Sequence, residues 1–310
     1  MHWPTAHRVS AFPKSDIGSL QSAGTAISTR VMIHAVKRAV LGAIQAVGTP
    51  VATLFDGDAR RAGLGAPTTR AAFVAGVPLG SALEIGPFDN PTIAGAGVAY
   101  FDVLDAAALR ARAARIGYGG DRIPARIDFV SPVGDLSVID RRFDAVLSSH
   151  AIEHQPDLIA HLQGVERILA PGGAYYLIVP DRRYTFDHFL AETGFDEVAR
   201  AHEEGRRVHT RQAILDHRLG TTHNNPLRHW LGIHGRPAPT ERMRASAEAE
   251  IARAEQGEYI DVHAWAFSPH GFAALVKRLR AQGYIGLEVE RVHATRFADL
   301  EFFSVLRSPR

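Results

Sequence analysis

The sequence contains no cysteine among its 310 residues, which excludes disulfide bonds and thiolate chemistry. It also has no block of one charge: the net charge is +2, and the arginines are spread along the chain rather than interleaved with aromatic residues. Nucleic acid is therefore not an expected partner. The lack of cysteine is typical of a cytoplasmic protein, and this is the location we expect.

Two glycine-rich signatures are missing as well. The turn after the first predicted strand is not GxGxxG, so the sequence gives little support to a pyrophosphate cradle. It has no Walker lysine, which argues against a nucleoside triphosphate site. A dinucleotide oxidoreductase stays a minor alternative, because an acidic residue after the second strand fits it while the glycine pattern does not.

Residues 1–70 differ in composition from the rest and form a predicted N-terminal extension. Residues 1–29 show no periodicity, so we expect them to be loosely ordered. The stretch 31–55 is more apolar, but Lys37 and Arg38 interrupt it too early for a membrane-spanning helix or a secretory signal. Two interpretations stay open for it: a helix packed on the domain, or a helix in weak contact with a membrane surface.

From residue 71 onwards, strand-like and helix-like segments alternate. Short apolar runs predict strands at 81–86, 98–103, 126–130, 143–149 and 174–180. Leucines at helical spacing predict a helix from Leu158, which Pro171-Gly172-Gly173 should end. Ser268 and Pro269 are typical of a helix start. The last two predicted strands, at 287–292 and 301–306, are close enough in sequence to pair with each other.

This alternation predicts an α/β fold: a doubly wound, seven-stranded, mostly parallel sheet, with a C-terminal antiparallel hairpin and a helical insert. The predicted domain spans 71–310, and the insert spans about 182–260. Ligands of such sheets bind at the carboxyl ends of the strands. We therefore expect the site residues at these strand ends.

The ends of the first two strands carry acidic residues around a tight turn. Glu84 and Gly86 end the first strand, Pro87 and Asn90 follow in its turn, and Asp102 ends the second strand. Gly86 lets the backbone approach a ligand closely. Asp102 is placed to bind the two hydroxyls of a ribose, and Glu84 to bind an ammonium group or to order the turn.

The third and fourth strands add further candidates. Asp128 and Phe129 would bind an adenine amino group and cover the ring, and Ser149 and His150 follow the fourth strand. Two acids and a glycine turn without a phosphate cradle suit a cofactor that contains adenosine and an amino acid but no phosphate.

These residues lie in segments that resemble the successive motifs of class I S-adenosylmethionine-dependent methyltransferases. The similar segments are LEIGP at 83–87, FDAVLSSHAIEH at 143–154 and RILAPGG at 167–173, together with Asp102. The resemblance covers residues 71–310 and implies S-adenosyl-L-methionine as the cofactor. It implies cofactor contacts by Glu84, Gly86, Asp102, Asp128, Ser149 and His150.

EIGPFDNP, VPDRRYTFD, VHAW and EFFSVLR resemble, more narrowly, a bacterial branch associated with surface-polysaccharide biosynthesis. That resemblance implies a small-molecule acceptor, namely a saccharide or a nucleotide-sugar. The chain departs from the general family at the first motif, where Pro87 and Phe88 follow a single glycine.

The loop after the fifth strand is where an acceptor would meet the methyl group. His154 and Asp181 are the predicted proton acceptors. Arg183, Tyr184 and Asp187 are the predicted acceptor-binding residues, through charge and stacking. The alternative is that this loop is merely ordered, with Asp187 and Arg183 paired.

His150-Ala-Ile-Glu153-His154 also fits H-x-x-E-H, a zinc-peptidase signature that needs both histidines on one helix. The preceding strand and Gln155-Pro156 oppose such a helix, so a peptidase is a minor alternative. A non-catalytic scaffold on the same fold is another. The histidines of the insert lack the regular spacing of a metal site, and no metal is predicted; they are His202, His209, His217, His223, His229 and His234.

Overall fold

The computed structural model describes residues 64–309. The predicted helix at 31–55, with its two interpretations, lies outside the described residues. One seven-stranded sheet, ordered β3-β2-β1-β4-β5-β7-β6, runs through the described part. Its strands are β1 (Ala82–Ile85), β2 (Val98–Asp102), β3 (Phe129–Val130), β4 (Phe143–Ser149), β5 (Leu169–Pro180), β6 (Glu288–His293) and β7 (Glu301–Arg307).

Strands β1 to β5 pair in parallel, whereas β7 runs antiparallel to both β5 and β6. The predicted fold, a doubly wound sheet with a C-terminal antiparallel hairpin, is confirmed. The chain adds β2 and β3 on one side of β1 and then returns to place β4 on the other side. Parallel α/β sheets bind ligands at such a switch point, beyond the carboxyl ends of the strands.

Helices cover both faces of this sheet. They are α1 (Arg70–Ala75), α2 (Ala106–Arg115), α3 (Leu158–Ile168), α4 (Phe195–Glu203), α5 (Arg211–Leu219), α6 (Pro226–Trp230), α7 (Glu241–Ala254) and α8 (Pro269–Ala281). The predicted start of α8 is confirmed, since the Ser268 hydroxyl accepts a hydrogen bond from the Gly271 amide and Pro269 is the first helical residue. Among the described residues, no helix is long and apolar enough to cross a membrane.

The core lies on both sides of β4, which explains its unbroken apolar run. On one face, Val146 lies in a fully buried cluster with Leu162 of α3 and Phe272 of α8. On the other face, Ala145 and Leu147 of β4 lie in a buried cluster with Val77 and Ile93. Burial on both faces fixes the direction of β4 and therefore the position of the loop that follows it.

Two local predictions were wrong. Helix α3 ends at Ile168, before Pro171-Gly172-Gly173, and these three residues lie in the first part of β5. The third strand contains only Phe129 and Val130, so Asp128 precedes it.

Residues 182–260 contain α4 to α7, so this stretch is helical, while its bounds as an insert stay a prediction. Residues before 70 also contact the sheet, because the Gly65 amide donates to the Val292 carbonyl at 2.7 Å. The division of the chain at residue 70 stays a prediction.

Candidate active site

The turn after β1 is held by Glu84. Its side chain is 1% exposed, and its carboxylate accepts hydrogen bonds from the amides of Thr92 (2.7 Å) and Ile93 (3.0 Å). Burial raises the pKa of Glu84 to about 7, although these two amides and Arg70 lower it. Gly86 follows with φ of 73°, a conformation that costs glycine little. The turn is therefore organised around a buried carboxylate.

Asp102 lies beside this turn, at the end of β2. Its carboxylate is 1% exposed and accepts a hydrogen bond from the Val103 amide at 2.7 Å. Asp102 and Gly86 line one small cavity, together with Ala151 and Gln155 from the segment after β4. The structure thus brings together two predicted cofactor-binding residues from neighbouring strands.

A larger cavity of about 500 Å³ adjoins this one. Gly134, Leu136, Gln155 and His161 line both cavities, so the two form one cleft. Tyr259 and residues 205–208 of the insert line the far end. The larger cavity has the size of a small-molecule site, which is commonly about 300–1,000 Å³.

Other predicted cofactor residues lie away from the walls of this cleft. The Asp128 carboxylate accepts from the Tyr100 amide at 3.0 Å and pairs with Arg126. Phe129 meets the Phe143 ring edge-on at 6.4 Å between centroids.

In the β1 turn, the Asn90 side chain accepts from Arg122 at 2.8 Å, and Pro87 is buried. None of these four predicted residues lines either cavity.

Ser149 and His150 meet a network at the end of β4. Arg70 donates to the Ser149 hydroxyl at 2.7 Å and to the Glu301 carboxylate at 2.9 Å. The same carboxylate oxygen lies 2.9 Å from Nε2 of His150. Ser148 points to the other face, with its hydroxyl 2.7 Å from that of Tyr175.

The H-x-x-E-H segment does not form one helix. His150 has φ of 50°, and a single turn of 3₁₀ helix covers only Ile152–His154. The two histidines therefore lack the helical arrangement that the peptidase signature requires.

Five buried or partly buried residues meet just beyond this turn, and we name them the acid–histidine cluster. The cluster consists of Glu153, His154, Asp187, Asp261 and His263. Nδ1 of His263 lies 2.6 Å from Oδ2 of Asp187, and Nδ1 of His154 lies 3.2 Å from Oδ1 of Asp261. Oε1 of Glu153 lies 3.7 Å from Nε2 of His154.

Burial sets the charge state of this cluster. It raises the pKa of Glu153 and, together with neighbouring histidines, holds the pKa of His154 well below its usual range. The pKa of His263 is raised: burial lowers it, but the carboxylate of Asp187 outweighs that effect. His154 is therefore a neutral imidazole at neutral pH.

Asp181, the second predicted proton acceptor, is engaged on both oxygens. It is fully buried and pairs with Arg183, whose NH2 group lies 2.7 Å from Oδ2. The Thr295 hydroxyl donates to the same oxygen at 2.6 Å. The alternative pairing of Arg183 with Asp187 does not form, because Asp187 contacts His263 instead.

Tyr184 lies against the insert. Its ring stacks on Trp230 at 3.9 Å between centroids, nearly parallel. The Arg183 guanidinium carbon lies 5.0 Å from the centroid of the same Tyr184 ring. Tyr184 thus contacts both an aromatic and a cationic side chain.

Several site residues escaped the sequence analysis. Arg70 and Glu301 lie at opposite ends of the described chain, and Asp261 and His263 lie far from the strand ends. The only signal for His263 was its place in the VHAW segment.

Comparison with known proteins agrees with this architecture. Residues 95–177 match a family model described as a methyltransferase domain. The matched stretch is about a quarter of the chain and contains Asp102 and the segment from Ser149 to His154. It supports a methyltransferase domain in the parallel part of the sheet. No curated protein matches the chain.

Solved structures similar to the chain include the CcbJ methyltransferase from Streptomyces caelestis, with 15% identity over 77% of this chain and 93% of that one and a TM-score of 0.39. An S-adenosylmethionine-dependent methyltransferase from Mesorhizobium loti has 16% identity over 76% and 96% of the two chains and a TM-score of 0.35. Such low values say nothing about the reaction.

Proposed function

We propose that the protein is a methyltransferase that uses S-adenosyl-L-methionine and transfers the methyl group to an oxygen or nitrogen of a small acceptor. The observation that carries the proposal is the common cavity of Gly86 and Asp102 at the switch point of the sheet. The methyltransferase-domain match across this part of the sheet supports it.

The residues at the switch point fit the cofactor. Gly86 leaves room for close approach of a ligand to the backbone, and the buried Asp102 carboxylate offers acceptors for two ribose hydroxyls. Glu84 is the proposed partner of the ammonium group, although it lines neither cavity and its carboxylate accepts from the Thr92 and Ile93 amides. The cofactor supplies a methyl group already activated on a sulfonium, so the protein has to hold the two reactants in line and accept a proton.

The acceptor end of the site is proposed to lie at the acid–histidine cluster and the adjoining loop. His154 is the better proton acceptor of the two predicted residues, because it is neutral, whereas Asp181 is engaged by Arg183 and Thr295. Arg183 and Tyr184 are the proposed acceptor-binding residues, because a guanidinium group beside an aromatic pair would suit a saccharide or a nucleotide-sugar.

Calorimetric titration with S-adenosylmethionine and S-adenosylhomocysteine, with NAD as the control ligand, tests the cofactor. We expect micromolar binding of the first two and no binding of NAD. Asp102→Asn keeps the oxygen that accepts from Val103 but removes the charge, so the variant should fold and bind the cofactor more weakly. Wild-type protein that binds neither sulfur compound would overturn the proposal.

A further inference from the structure

Glu153 carries a carboxylate that is buried and makes no hydrogen bond. The residue is 0% exposed, and neither carboxylate oxygen has a hydrogen-bond partner. A buried carboxylate without partners is costly, and native proteins compensate it with a cation, a proton or hydrogen bonds. One ring nitrogen each of His150 and His154 lies 3.7 Å from Oε1.

This carboxylate and two imidazoles form a group of three potential metal ligands. One ligand atom each from Glu153, His154 and His263 lies within 4.8 Å of those of the other two. Glu153 and His154 lie in the 3₁₀ turn that follows β4, and His263 lies in the segment that precedes α8. The set of two imidazoles and one carboxylate is typical of zinc, manganese and other divalent transition metals, whereas magnesium and calcium prefer oxygen alone.

A carboxylate faces Nδ1 of each histidine, but only the one at His263 makes a hydrogen bond there. Asp187 faces Nδ1 of His263 at 2.6 Å, and Asp261 faces Nδ1 of His154 at 3.2 Å. A carboxylate at Nδ1 fixes the proton there and leaves the lone pair of Nε2 for a metal ion, as in the carboxylate–histidine pairs of known metal sites. Asp187 therefore supports His263 through a hydrogen bond, and Asp261 lies at ion-pair distance from His154.

Backbone hydrogen bonds hold the segment of Glu153 and the segment of His263 together without a metal ion. The amides of Ala264 and Trp265 both donate to the Glu153 carbonyl, at 2.8 and 3.1 Å. The Trp265 indole donates to the Gln155 carbonyl at 2.6 Å. A site whose ligands are already fixed loses little entropy on binding.

A second group of histidines is a weaker candidate. His188, His229 and His234 also bring three ligand atoms together. However, Nδ1 of His229 lies 3.1 Å from Nδ1 of His234, and the ring of His188 stacks on His234 at 3.7 Å. These imidazoles contact one another, and the group contains no buried carboxylate that needs a cation.

We propose that Glu153, His154 and His263 bind one divalent transition-metal ion, with Asp187 and Asp261 orienting the two histidines. Binding of the ion does not depend on the proposed function, but its role does. A cation lowers the pKa of a hydroxyl bound to it and would favour deprotonation of a methyl acceptor. At Nε2, the metal and the proton compete for one lone pair. His154 is therefore a ligand when the ion is bound and a proton acceptor only without it.

Calorimetric titration of the full chain, stripped with EDTA, with Mn²⁺ and separately with Zn²⁺ tests the site. We expect one equivalent to bind. Glu153→Gln should weaken binding at least tenfold, and Asp187→Asn by about 10- to 100-fold. His234→Ala, in the second histidine group, is the matched control and should bind as the wild type does.

Glu153→Gln removes an uncompensated buried charge without changing the shape of the side chain, so it should fold as well as the wild type without metal. X-ray absorption at the zinc edge of the wild type needs no variant and should show two imidazole ligands. Absence of binding, equal binding by Glu153→Gln, or loss of binding in His234→Ala would overturn the proposal. Titration with S-adenosylhomocysteine in EDTA tests the methyltransferase proposal separately.

Discussion

Nδ1 of His263 lies 2.6 Å from Oδ2 of Asp187, across a separation of 76 residues in the sequence. Both side chains are buried, so the pair is shielded from water, unlike most ion pairs at a protein surface. It joins the loop after β5 to the segment before α8. The insert between those two segments, which contains α4 to α7, is thus closed at its base by this contact.

Asp187→Asn should therefore destabilise the protein. Removal of one partner leaves the other buried without its counter-charge, which costs on the order of 3 kcal/mol. Urea denaturation in EDTA, which excludes a contribution from metal, measures the change in free energy of unfolding. Glu248→Gln is the control, because it removes a carboxylate from an exposed pair with Arg211 and should change stability very little. Equal stability of both variants would show that the buried pair contributes nothing net.

A second prediction concerns the hydrogen bond between Thr295 and Asp181. The Thr295 hydroxyl donates to the buried carboxylate at 2.6 Å. Thr295→Val keeps the shape and removes the donor, so we expect a loss of about 1–2 kcal/mol in the free energy of unfolding. Thr295→Ser keeps the donor and should lose less. Because Arg183 still neutralises Asp181, binding of S-adenosylhomocysteine should not change, and a large loss of affinity would place Asp181 at the cofactor instead.

Gly173 shows where local sequence patterns were misleading. A Cβ atom at this position would lie 2.9 Å from the Ala170 carbonyl oxygen and 3.0 Å from that of Phe143. The glycine is therefore needed for the close approach of β5 to β4, rather than to end a helix. Gly173→Ala should destabilise the protein by about 1–3 kcal/mol in thermal or urea unfolding. Gly194→Ala has open space around it and should be nearly neutral; similar losses in both would contradict this explanation.

The parts of the fold that were predictable are those encoded locally. The apolar run Phe143–Ser149 identifies β4 because the strand is buried on both faces. Ser268 and Pro269 identify the start of α8 because capping is a local interaction. In contrast, the two-residue strand β3 is defined by its pairing with β2, which no local pattern encodes.

The candidate site was predictable only in part, for the same reason. Gly86 and Asp102 stand at strand ends, so the rule for parallel sheets finds them. Arg70 and Glu301 are 231 residues apart and meet only because β7 inserts beside β5. His263, which lies near Glu153 and His154, likewise comes from a distant segment. The sequence pattern therefore gave a peptidase signature where the structure has a different cluster.

Burial raises the pKa of Glu84 to about 7. As the pH rises towards this value, we expect protein stability to fall and cofactor affinity to increase. Since its ordinary value is 4.5, the folded protein holds a proton between pH 4.5 and about 7 that the unfolded chain has released. The contribution of Glu84 to stability therefore falls as the pH rises through this window and is constant above it.

Binding of a cofactor ammonium group requires the ionised form, so affinity should rise over the same window. Below pH 7, we expect affinity for S-adenosylhomocysteine to fall by up to about tenfold per pH unit. The charge of Arg70 acts on Glu84, and the pKa of Tyr100 is raised from its ordinary value of 10 by burial and by the charge of Glu84.

Calorimetric titration with S-adenosylhomocysteine from pH 5.5 to 7.5, on the wild type and on Glu84→Gln, measures this dependence. The variant keeps an oxygen for the Thr92 and Ile93 amides but has no charge to titrate, so the difference between the two proteins isolates Glu84 from the titration of the ligand itself. A steeper pH dependence in the wild type assigns the ammonium group to Glu84. Identical profiles would mean that Glu84 only orders the turn, because a carboxylate in contact with a cation cannot change its charge without changing the affinity.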